Sequence, residues 1–272
     1  MTQQLAEPPT KAAPATNWTW PIRGVTAIIA VVLLFFGTVS TVGYFMLQTD
    51  TKTAFFTVAV NRVQVNNTNG QVVIRAGSGA QGATVVSRGH SSFRTAEHSE
   101  TVTNGVLQVN GSCQGGLIVA DRCSVDFEIT VPPGTAVNAI ATTGDISVLG
   151  TGGPVTARSS TGDLLVDRVG GDLRLTTNVG DVEAVALTGG TVTARSNTGD
   201  LRLDFTTAPD RIKATTNVGD VRVEVPAGAT TYRVSAEVDV GDRHIDVPTD
   251  PASPRIIELS SNTGDVRMGL GQ

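Results

Sequence analysis

The stretch VTARSSTGDL occupies residues 155–164 and returns, with one change, as VTARSNTGDL at residues 192–201. A second stretch, TTNVGDV, occurs twice without change, at residues 176–182 and 215–221. Both stretches contain a Gly-Asp pair that follows small polar residues and precedes alternating apolar residues. Near-identical copies at a regular spacing are the sequence signature of a repeat architecture.

The Gly-Asp pair recurs through the second half of the chain, with successive glycines 18, 18, 19, 20, 22 and 23 residues apart. The pairs are Gly144-Asp145, Gly162-Asp163, Gly180-Asp181, Gly199-Asp200, Gly219-Asp220, Gly241-Asp242 and Gly264-Asp265. Between them apolar and polar residues alternate, which indicates two short strands in each repeat. The abundance of glycine (30 residues) and the scarcity of aromatic residues (4%) also favour short strands and tight turns over a helical bundle.

One repeat is too small to bury its own apolar face, so the repeats must stack on one another. We therefore predict an all-β fold with a β-solenoid or β-helix-like domain of 18–23 residues per coil. Coils would lie about 4.8 Å apart, with each strand paired to its equivalent in the next coil. The predicted inward residues are Val155, Ala157, Ser159, Leu164, Val166, Leu173, Leu175, Thr177, Val182, Ala184, Val192, Ala194, Ser196, Leu201, Leu203, Ile212, Ala214, Thr216, Val221, Val223 and Val225.

The N-terminal part of the chain predicts a membrane anchor. Residues 25–47 (VTAIIAVVLLFFGTVSTVGYFML) are nearly all apolar and carry no charge. A helix of this length would be about 34 Å long, enough to cross a hydrocarbon core of about 30 Å. Trp18, Trp20 and Tyr44 lie near its ends, where aromatic rings favour the membrane interface. No small-residue cleavage site ends the stretch, so we expect an uncleaved transmembrane helix at residues 23–48 rather than a signal peptide.

The two cysteines of the chain bear on the orientation of this anchor. Cys113 and Cys123 flank a Gly-Gly turn in CQGGLIVADRC, and their spacing indicates one disulfide in an oxidising compartment. The alternative is two separate buried thiols. Basic residues on either side of the apolar stretch do not decide the orientation, so the predicted extracytoplasmic placement of the C-terminal part depends on the cysteines. The predicted division is a cytoplasmic tail at 1–22, the transmembrane helix at 23–48, a strand region with the cysteine pair at 49–135 and the repeat domain at 136–272.

Further strands are predicted between the anchor and the repeats. RVQVNNTNGQVVIRA at residues 62–76 predicts either a hairpin around its Asn-Gly turn or a degenerate early coil. VDFEITV at residues 125–131 alternates cleanly and stops before a Pro-Pro pair. Residues 77–99 are rich in Gly, Ser and His and predict loops, and PTDPASP at residues 248–254 predicts a surface loop among the last coils.

The run VDFEITVPPGTAV at residues 125–137, followed by repeated Thr-Gly-Asp strands behind one N-terminal span, resembles the bacterial putative-adhesin family. This group of domains of unknown function includes LiaG-like membrane-anchored envelope proteins. The resemblance covers residues 61–272. It implies a β-solenoid or β-helix-like fold displayed at the cell envelope, without an established catalytic activity, and it supplies no catalytic motif to carry over.

Stacked coils would align seven aspartates along one edge: Asp145, Asp163, Asp181, Asp200, Asp220, Asp242 and Asp265. One interpretation is structural, because the glycine can take a positive φ and the aspartate can accept backbone N–H groups within its own turn. The other is a row of calcium ligands, since Ca²⁺ prefers hard oxygen donors. The calcium-binding nonapeptide has a second glycine and an alternating ligand pattern that these repeats lack. The sequence therefore favours the structural role over calcium, and no other cofactor is expected.

Outward positions on the first strand of each coil carry threonine and basic residues. They are Thr156, Arg158, Arg174, Thr176, Thr193, Arg195, Lys213 and Thr215. Such a flat face could bind an acidic glycan or another protein, although an ordinary solvated face is the commoner explanation. The net charge of −5 and the absence of a basic stripe argue against a nucleic acid partner.

The sequence predicts a non-enzymatic, membrane-anchored cell-envelope protein that presents a rigid β-solenoid for adhesion or for protein or glycan interaction. Binding would use the outward face, or strand addition at the open last coil around residues 266–268. The alternatives are a calcium-binding β-roll-like module, a self-assembling scaffold and a carbohydrate-active β-helix enzyme. A catalytic triad could be drawn from His90, His98, Ser91, Ser92 and Asp121, but no nucleophile elbow supports it.

Overall fold

The computed structural model describes residues 29–30, 33, 48–78, 82–92, 95–114, 123–188 and 190–271. The predicted cytoplasmic tail at residues 1–22 lies outside the described residues, and so does nearly all of the predicted transmembrane helix at residues 23–48. Within the described part, no helix has both the length and the apolar character needed to cross a membrane. Two compact units divide the chain, Met1–Phe45 and Met46–Gln272. The second is built from strands, so the all-β prediction is confirmed.

The strands are β1 (Gln48–Phe56), β2 (Arg62–Asn69), β3 (Val72–Ala76), β4 (Ala83–Ser91), β5 (Thr95–Thr103), β6 (Val106–Gln114), β7 (Cys123–Val131), β8 (Ala136–Thr143), β9 (Ile146–Leu149), β10 (Val155–Thr161), β11 (Leu164–Asp167), β12 (Leu173–Val179), β13 (Val182–Leu187), β14 (Thr191–Thr198), β15 (Leu201–Phe205), β16 (Arg211–Val218), β17 (Val221–Val225), β18 (Arg233–Val240), β19 (Arg243–Ile245), β20 (Ile256–Thr263) and β21 (Val266–Leu270). Most are short and bury alternate residues, as the alternation of the sequence predicts.

These strands form two long sheets. The first sheet has the order β1-β4-β7-β3-β9-β11-β13-β15-β17-β21-β19, and the second has the order β18-β20-β16-β14-β12-β10-β8-β2-β6-β5. Neighbours are parallel throughout the stretch that runs from β7 to β19 in the first sheet and from β6 to β18 in the second. The antiparallel strands β1, β4 and β5 lie together at the opposite end, which we call the N-terminal end.

Each Gly-Asp repeat contributes one strand to each sheet. The pair Gly162-Asp163, for example, connects β10 of the second sheet to β11 of the first sheet. The register of the next repeat is the same residue by residue, with Val155 beside Leu173 and Leu164 beside Val182. Equivalent residues of successive repeats therefore form columns that run across the strands of both sheets.

The core lies between the two sheets and consists of the inward residues that the alternation predicts. All of the predicted inward residues are buried, including the polar Ser159, Thr177, Ser196 and Thr216. Burying a Val or Leu side chain contributes about 1.5–3 kcal/mol, and no single repeat could bury both of its faces alone. The stacking of repeats is therefore the source of stability.

The order of the last two repeats in space is the reverse of their order in the sequence. Strands β20 and β21 pair with β16 and β17 on one side and with β18 and β19 on the other. The prediction that residues 266–268 form an open edge is therefore wrong. The more apolar repeat takes the interior place, because Ile257, Leu259 and Met268 are buried whereas β18 has no fully buried residue. Residues 246–255 provide the length of chain that this exchange requires.

Residues 62–76 form an early coil rather than a hairpin. Strands β2 and β3 belong to different sheets, and they connect through Gly70, whose φ is 122°. Strand β2 pairs with β8, so the sheets continue without a break past residue 135. The loops predicted for residues 77–99 are largely strands, since β4 and β5 occupy most of this range. Their pairing with β7 and β6 closes the N-terminal end of the stack.

Candidate binding face

The Gly-Asp corners are held by close contacts between the backbones of neighbouring coils. Their seven glycines have φ values between 136° and 144°, a region that disfavours any residue with a Cβ. A Cβ added at Gly199 would meet the carbonyl group of Gly180 in the neighbouring coil. The glycines are therefore required both by their conformation and by the close approach of the next corner.

The aspartates form a ladder of hydrogen bonds that connects one coil to the next. The Asp181 N–H donates to Asp163 Oδ1 at 2.8 Å, and the Asp200 N–H donates to Asp181 Oδ1 at 2.8 Å. The expectation was an acceptor within the aspartate's own turn, but the bond joins neighbouring coils. The other donor–acceptor pairs of the ladder are Asp163–Asp145, Asp220–Asp200, Asp265–Asp220 and Asp242–Asp265.

Sequence reasoning missed two further parts of the corners. In five of the seven repeats a hydroxyl three residues before the glycine donates to the glycine carbonyl of the neighbouring coil, as Thr216 Oγ1 does to Gly199 O at 3.0 Å. Ser159, Thr177, Ser196 and Ser261 do the same. The recurrence of Ser or Thr at this place in the repeat was the signal. In the early coils Asp126, which follows no glycine, accepts the N–H of Gln71.

The ladder gives the aspartates a structural role. One oxygen of each of six carboxylates already accepts an N–H group; these are Asp145, Asp163, Asp181, Asp200, Asp220 and Asp265. Across the described ranges, no group of three or more His, Cys, Asp or Glu side chains could hold a metal ion. Calcium binding by this column stays a prediction.

The outer face of the second sheet arranges the predicted threonine and basic residues in two rows. One row contains Thr156, Arg174, Thr193 and Lys213, which are neighbours in register on β10, β12, β14 and β16. The second row contains Arg158, Thr176, Arg195 and Thr215 on the same strands. Basic residues and threonines alternate along each row, so that each of the four strands carries one basic residue and one threonine of the set. We call this set of eight residues the cationic strip.

Three of the four basic residues of the cationic strip are exposed and have no partner in the part of the chain that the structure describes. Arg158, Arg174 and Arg195 make no ion pair or side-chain hydrogen bond with any described residue. Lys213 alone is paired, at 2.8 Å from Glu258 on β20. The hydrogen bond and charge of Lys213 lower the pKa of Glu258 below its ordinary value. The cationic strip therefore ends at β16, because the next strand, β20, places Glu258 beside Lys213.

Carboxylates are absent from the four strands of the cationic strip and from the three strands that continue the second sheet from β10 towards its N-terminal end. The strands β2, β6, β8, β10, β12, β14 and β16 contain no Asp or Glu. In the first sheet, by contrast, β11, β13, β15 and β17 each contain one. Two arginines of this sheet are paired within the chain, Arg222 with Glu224 and Arg267 with Asp265, whereas the exposed Arg202 on β15 has no ion pair with any described residue. The two outer faces of the stack therefore differ in charge.

The N-terminal end contains a buried carboxylate, Glu100, whose side chain is only 1% exposed. It accepts a hydrogen bond from Ser87 Oγ at 2.6 Å and one from Lys52 Nζ at 2.9 Å, and it lies 2.7 Å from His98 Nδ1. Burial raises the pKa of Glu100, but the hydrogen bonds from Ser87, Lys52 and His98 outweigh burial and lower it below its ordinary value. Sequence reasoning missed this cluster, which joins strands β1, β4 and β5.

Both histidines considered for a catalytic triad contact other groups. His98 Nδ1 lies 2.7 Å from Glu100 Oε1. His90 Nδ1 is 3.2 Å from Thr49 Oγ1, and its Nε2 is 3.5 Å from Asp126. Ser91 lies at the end of β4 beside Cys123, and Asp121 lies outside the described residues.

A disulfide joins Cys113 on β6 to Cys123 on β7, with 6.0 Å between the two Cα atoms. The bond links the second sheet to the first sheet at a place where other coils have a Gly-Asp corner. Asn69, which precedes Gly70 at the neighbouring corner, donates to the Cys123 carbonyl. The disulfide thus connects β6 to β7, whose equivalents in the Gly-Asp repeats are connected by the two-residue corner.

The opposite end of the stack, at β18 and β19, has a cavity of about 600 Å³. Its walls include Tyr232, Val234, Ala236 and Arg243. The Arg243 guanidinium donates to the Ala236 carbonyl at 3.1 Å, which covers part of the free edge of β18. Burial raises the pKa of Tyr232 above its ordinary value. A strand added at this edge would have to displace Arg243.

Comparison with known proteins finds solved structures of low similarity to this chain. Among solved structures, a putative adhesin from Bacteroides fragilis is 15% identical, with 80% of this chain and 97% of that chain covered and a TM-score of 0.44. A putative lipid binding protein from Parabacteroides distasonis is 10% identical (82% and 97% covered, TM-score 0.43). A putative adhesin from Parabacteroides merdae is 9% identical (83% and 96% covered, TM-score 0.37). No curated protein matches.

At these identities and TM-scores the solved structures carry no argument about function. The family assignment depends instead on a family model, described as Toastrack DUF4097, which matches residues 49–267. The matched range contains all seven Gly-Asp pairs and nearly all of the strands that close the N-terminal end. The chain therefore belongs to the Toastrack family, a family of unknown function, in agreement with the resemblance to putative adhesins that its repeats carry.

Proposed function

We propose that this chain is a non-enzymatic cell-envelope protein in which a β-solenoid presents the outer face of its second sheet for adhesion. The observation that supports this most strongly is the cationic strip, with three exposed arginines that have no partner among the described residues. Unpaired charges on a flat, in-register surface are available to a partner at no cost in broken ion pairs. A partner that binds Arg222 or Arg267 of the first sheet would first have to break an existing ion pair.

The rigidity of the stack supports the same role. Each strand of the strip is hydrogen-bonded on both sides, and each coil is connected to the next by the aspartate ladder. Binding therefore orders few backbone groups, and the entropic cost of association is correspondingly small.

The apolar stretch at residues 25–47 supports a single membrane span, and the disulfide supports an extracytoplasmic location for the strands. In intact cells that produce the full chain with Thr161→Cys, a membrane-impermeant maleimide should label this exposed corner residue. Labelling only after lysis would contradict the proposed orientation and would favour a cytoplasmic scaffold.

The proposed adhesive role can be tested with the full-length chain in a neutral detergent and purified bacterial cell-wall fragments. The chain should sediment with the fragments, and a variant with Thr176→Trp and Thr193→Trp should lose at least about nine-tenths of this binding, because the indole rings obstruct the strip.

The matched control is Glu183→Trp with Arg202→Trp on the outer face of the first sheet, which should bind as the unmodified chain does. Thermal unfolding of both variants checks that they fold. Equal binding by the two variants, or no binding by the unmodified chain, would overturn the proposal.

A further inference from the structure

The geometry of the cationic strip points to a ligand of one chemical class, and we propose that it is a linear acidic polysaccharide. This inference rests on the proposed adhesive function and names its partner. Anionic groups of the polymer pair with Arg158, Arg174 and Arg195, while its hydroxyl groups bond to the threonines between them. The polymer runs across the strands, along the direction in which the repeats stack.

The first argument is the spacing of the cations. Arg158 and Arg195 occupy the same row with Thr176 between them, so their Cα atoms are about 10 Å apart, two strand spacings. Arg174 lies one strand and two residues from Arg158, about 8 Å away. The arginines therefore form a zigzag with a regular repeat. A polymer with regularly spaced charges can follow such a pattern, whereas a single small anion can reach only one of them.

The second argument is the chemistry of the side chains. A guanidinium group binds carboxylate, sulfate or phosphate oxygens through two parallel hydrogen bonds. Each threonine hydroxyl of the strip can both donate and accept a hydrogen bond, as recognition of sugar hydroxyl groups requires. Because no carboxylate occurs in the seven strands from β6 to β16, nothing in these strands competes with the ligand for the arginines.

The third argument concerns the other macromolecules that a cationic face can bind. Those seven strands contain no Phe, Tyr or Trp. The residues that anchor protein interfaces are mostly Trp, Tyr and Arg, and of these the seven strands contain only Arg. Single-stranded nucleic acids need aromatic side chains on which bases stack. The net charge of −5 also disfavours a densely charged nucleic acid. A sugar polymer of lower charge density meets neither objection.

The test uses the full-length chain in a neutral detergent and two pairs of polymers. Polygalacturonate is compared with its fully methyl-esterified form, and dextran sulfate is compared with dextran, so that each pair shares one backbone. We expect binding to at least one acidic polymer, at least tenfold weaker binding to its neutral counterpart, and weakening as salt rises from 50 to 200 mM, about the range over which screening becomes strong.

The decisive variant is Arg158→Gln with Arg174→Gln and Arg195→Gln, which should weaken binding to the acidic polymer at least about tenfold. The matched control is Arg202→Gln with Arg222→Gln and Arg267→Gln on the first sheet, which removes the same charge and should bind within about twofold of the unmodified chain. Unchanged binding by the first triple variant, or equal loss in both, would overturn the inference. So would tighter binding to phosphatidylglycerol vesicles or to single-stranded DNA than to either acidic polymer.

The two proposals can fail separately. If the tryptophan variant loses binding to cell-wall fragments while the glutamine triple variant keeps it, adhesion through this face stands and the acidic ligand is wrong. If the tryptophan variant keeps binding, the face is not the adhesive surface and both proposals fail.

Discussion

Each coil of the stack has two corners, and they differ in how much variation they allow. The Gly-Asp corner is two residues long in every repeat, from Gly144-Asp145 to Gly264-Asp265. The opposite corner varies, from residues 188–190 between β13 and β14 to residues 246–255 between β19 and β20. The two longest distances between successive glycines, 22 and 23 residues, are therefore absorbed at the opposite corner, where residues 226–232 and 246–255 connect the strands.

The difference follows from what each corner bonds to. At the Gly-Asp corner a glycine contact, an aspartate bond and a Ser or Thr bond all reach the backbone of the neighbouring coil. An added residue would break all three. At the opposite corner the bonds between coils differ from one coil to the next, such as Thr191 N–H to Asp172 and Thr206 Oγ1 to the Leu187 carbonyl. Its length can therefore change, and a long version allows the last two repeats to exchange places.

The largest expected effect comes from placing a side chain in the Gly-Asp corner. Gly199→Ala should lower the free energy of unfolding by about 3 kcal/mol or more, because Gly199 has a φ of 144° and its added Cβ meets the Gly180 carbonyl. At the opposite corner Gly134→Ala should change it by less than about 0.5 kcal/mol, since nothing lies within 4 Å of an added Cβ. Urea unfolding measures both, and equal costs would remove the distinction between the corners.

The second-largest effect on the free energy of unfolding is expected for Glu100, the buried carboxylate at the N-terminal end. Glu100→Gln should cost about 2 kcal/mol near neutral pH, because Ser87, Lys52 and His98 lose a charged acceptor. The folded-state pKa of Glu100 is lowered, so its contribution is present above the ordinary glutamate pKa and is lost as pH falls through the folded-state value.

The cost of Glu100→Gln should therefore shrink as the solution is made acid. Urea unfolding of the unmodified chain and the variant over a pH series measures this difference. A difference that is the same at neutral and acid pH would show that the charge of Glu100 does not stabilise the N-terminal end.

The aspartate ladder should have a smaller effect. Asp200→Ala leaves the Asp220 N–H without its acceptor and should cost about 1 kcal/mol. Asp242 is the matched control, since it lies in the outermost coil and no described N–H donates to its carboxylate. Asp242→Ala should therefore cost less than about 0.5 kcal/mol in the same unfolding experiment. Similar costs for both would indicate that the carboxylates act in another way.

The smallest effect is expected at the opposite corner. Inserting Gly-Ser-Gly-Ser after Gly228 should lower the free energy of unfolding by less than about 1 kcal/mol, since lengthening a loop has a small entropic cost. The same insertion between Gly199 and Asp200 should abolish the cooperative unfolding transition. It moves apart the groups that make the glycine contact, the aspartate bond and the Ser or Thr bond to the neighbouring coil. Circular dichroism during thermal unfolding distinguishes the two, and equal tolerance would contradict the proposed role of the Gly-Asp corner.

The sequence alone predicted the features that depend on local pattern. The alternation around Val155 and Leu164 identified the buried positions correctly, because period-two alternation directly reports which face of a strand is buried. The Gly-Asp pairs located the corners, and the outward Arg and Thr residues located the strip. These features repeat, so each copy strengthened the inference from the others.

Features that depend on which coil lies beside which were not predicted. The exchange of the last two repeats follows from the greater burial of Ile257 and Leu259 relative to β18, a competition between distant segments. The Glu100 cluster draws on three strands that pair only in the folded chain. For the same reason the aspartates were expected to bond within their own turns. That Arg158, Arg174 and Arg195 have no ion pair with any described residue could not be foreseen either.

The measurement that tests the account most directly is amide hydrogen exchange, followed by NMR, in the unmodified chain and in Asp200→Ala. The account predicts slow exchange of the Asp220 amide in the unmodified chain without added calcium, and exchange at least about tenfold faster in the variant. The backbone amide at position 200, which donates to Asp181, should exchange slowly in both proteins. Fast exchange of the Asp220 amide in the unmodified chain, or protection that appears only when calcium is added, would contradict the claim that the aspartates hold one coil to the next.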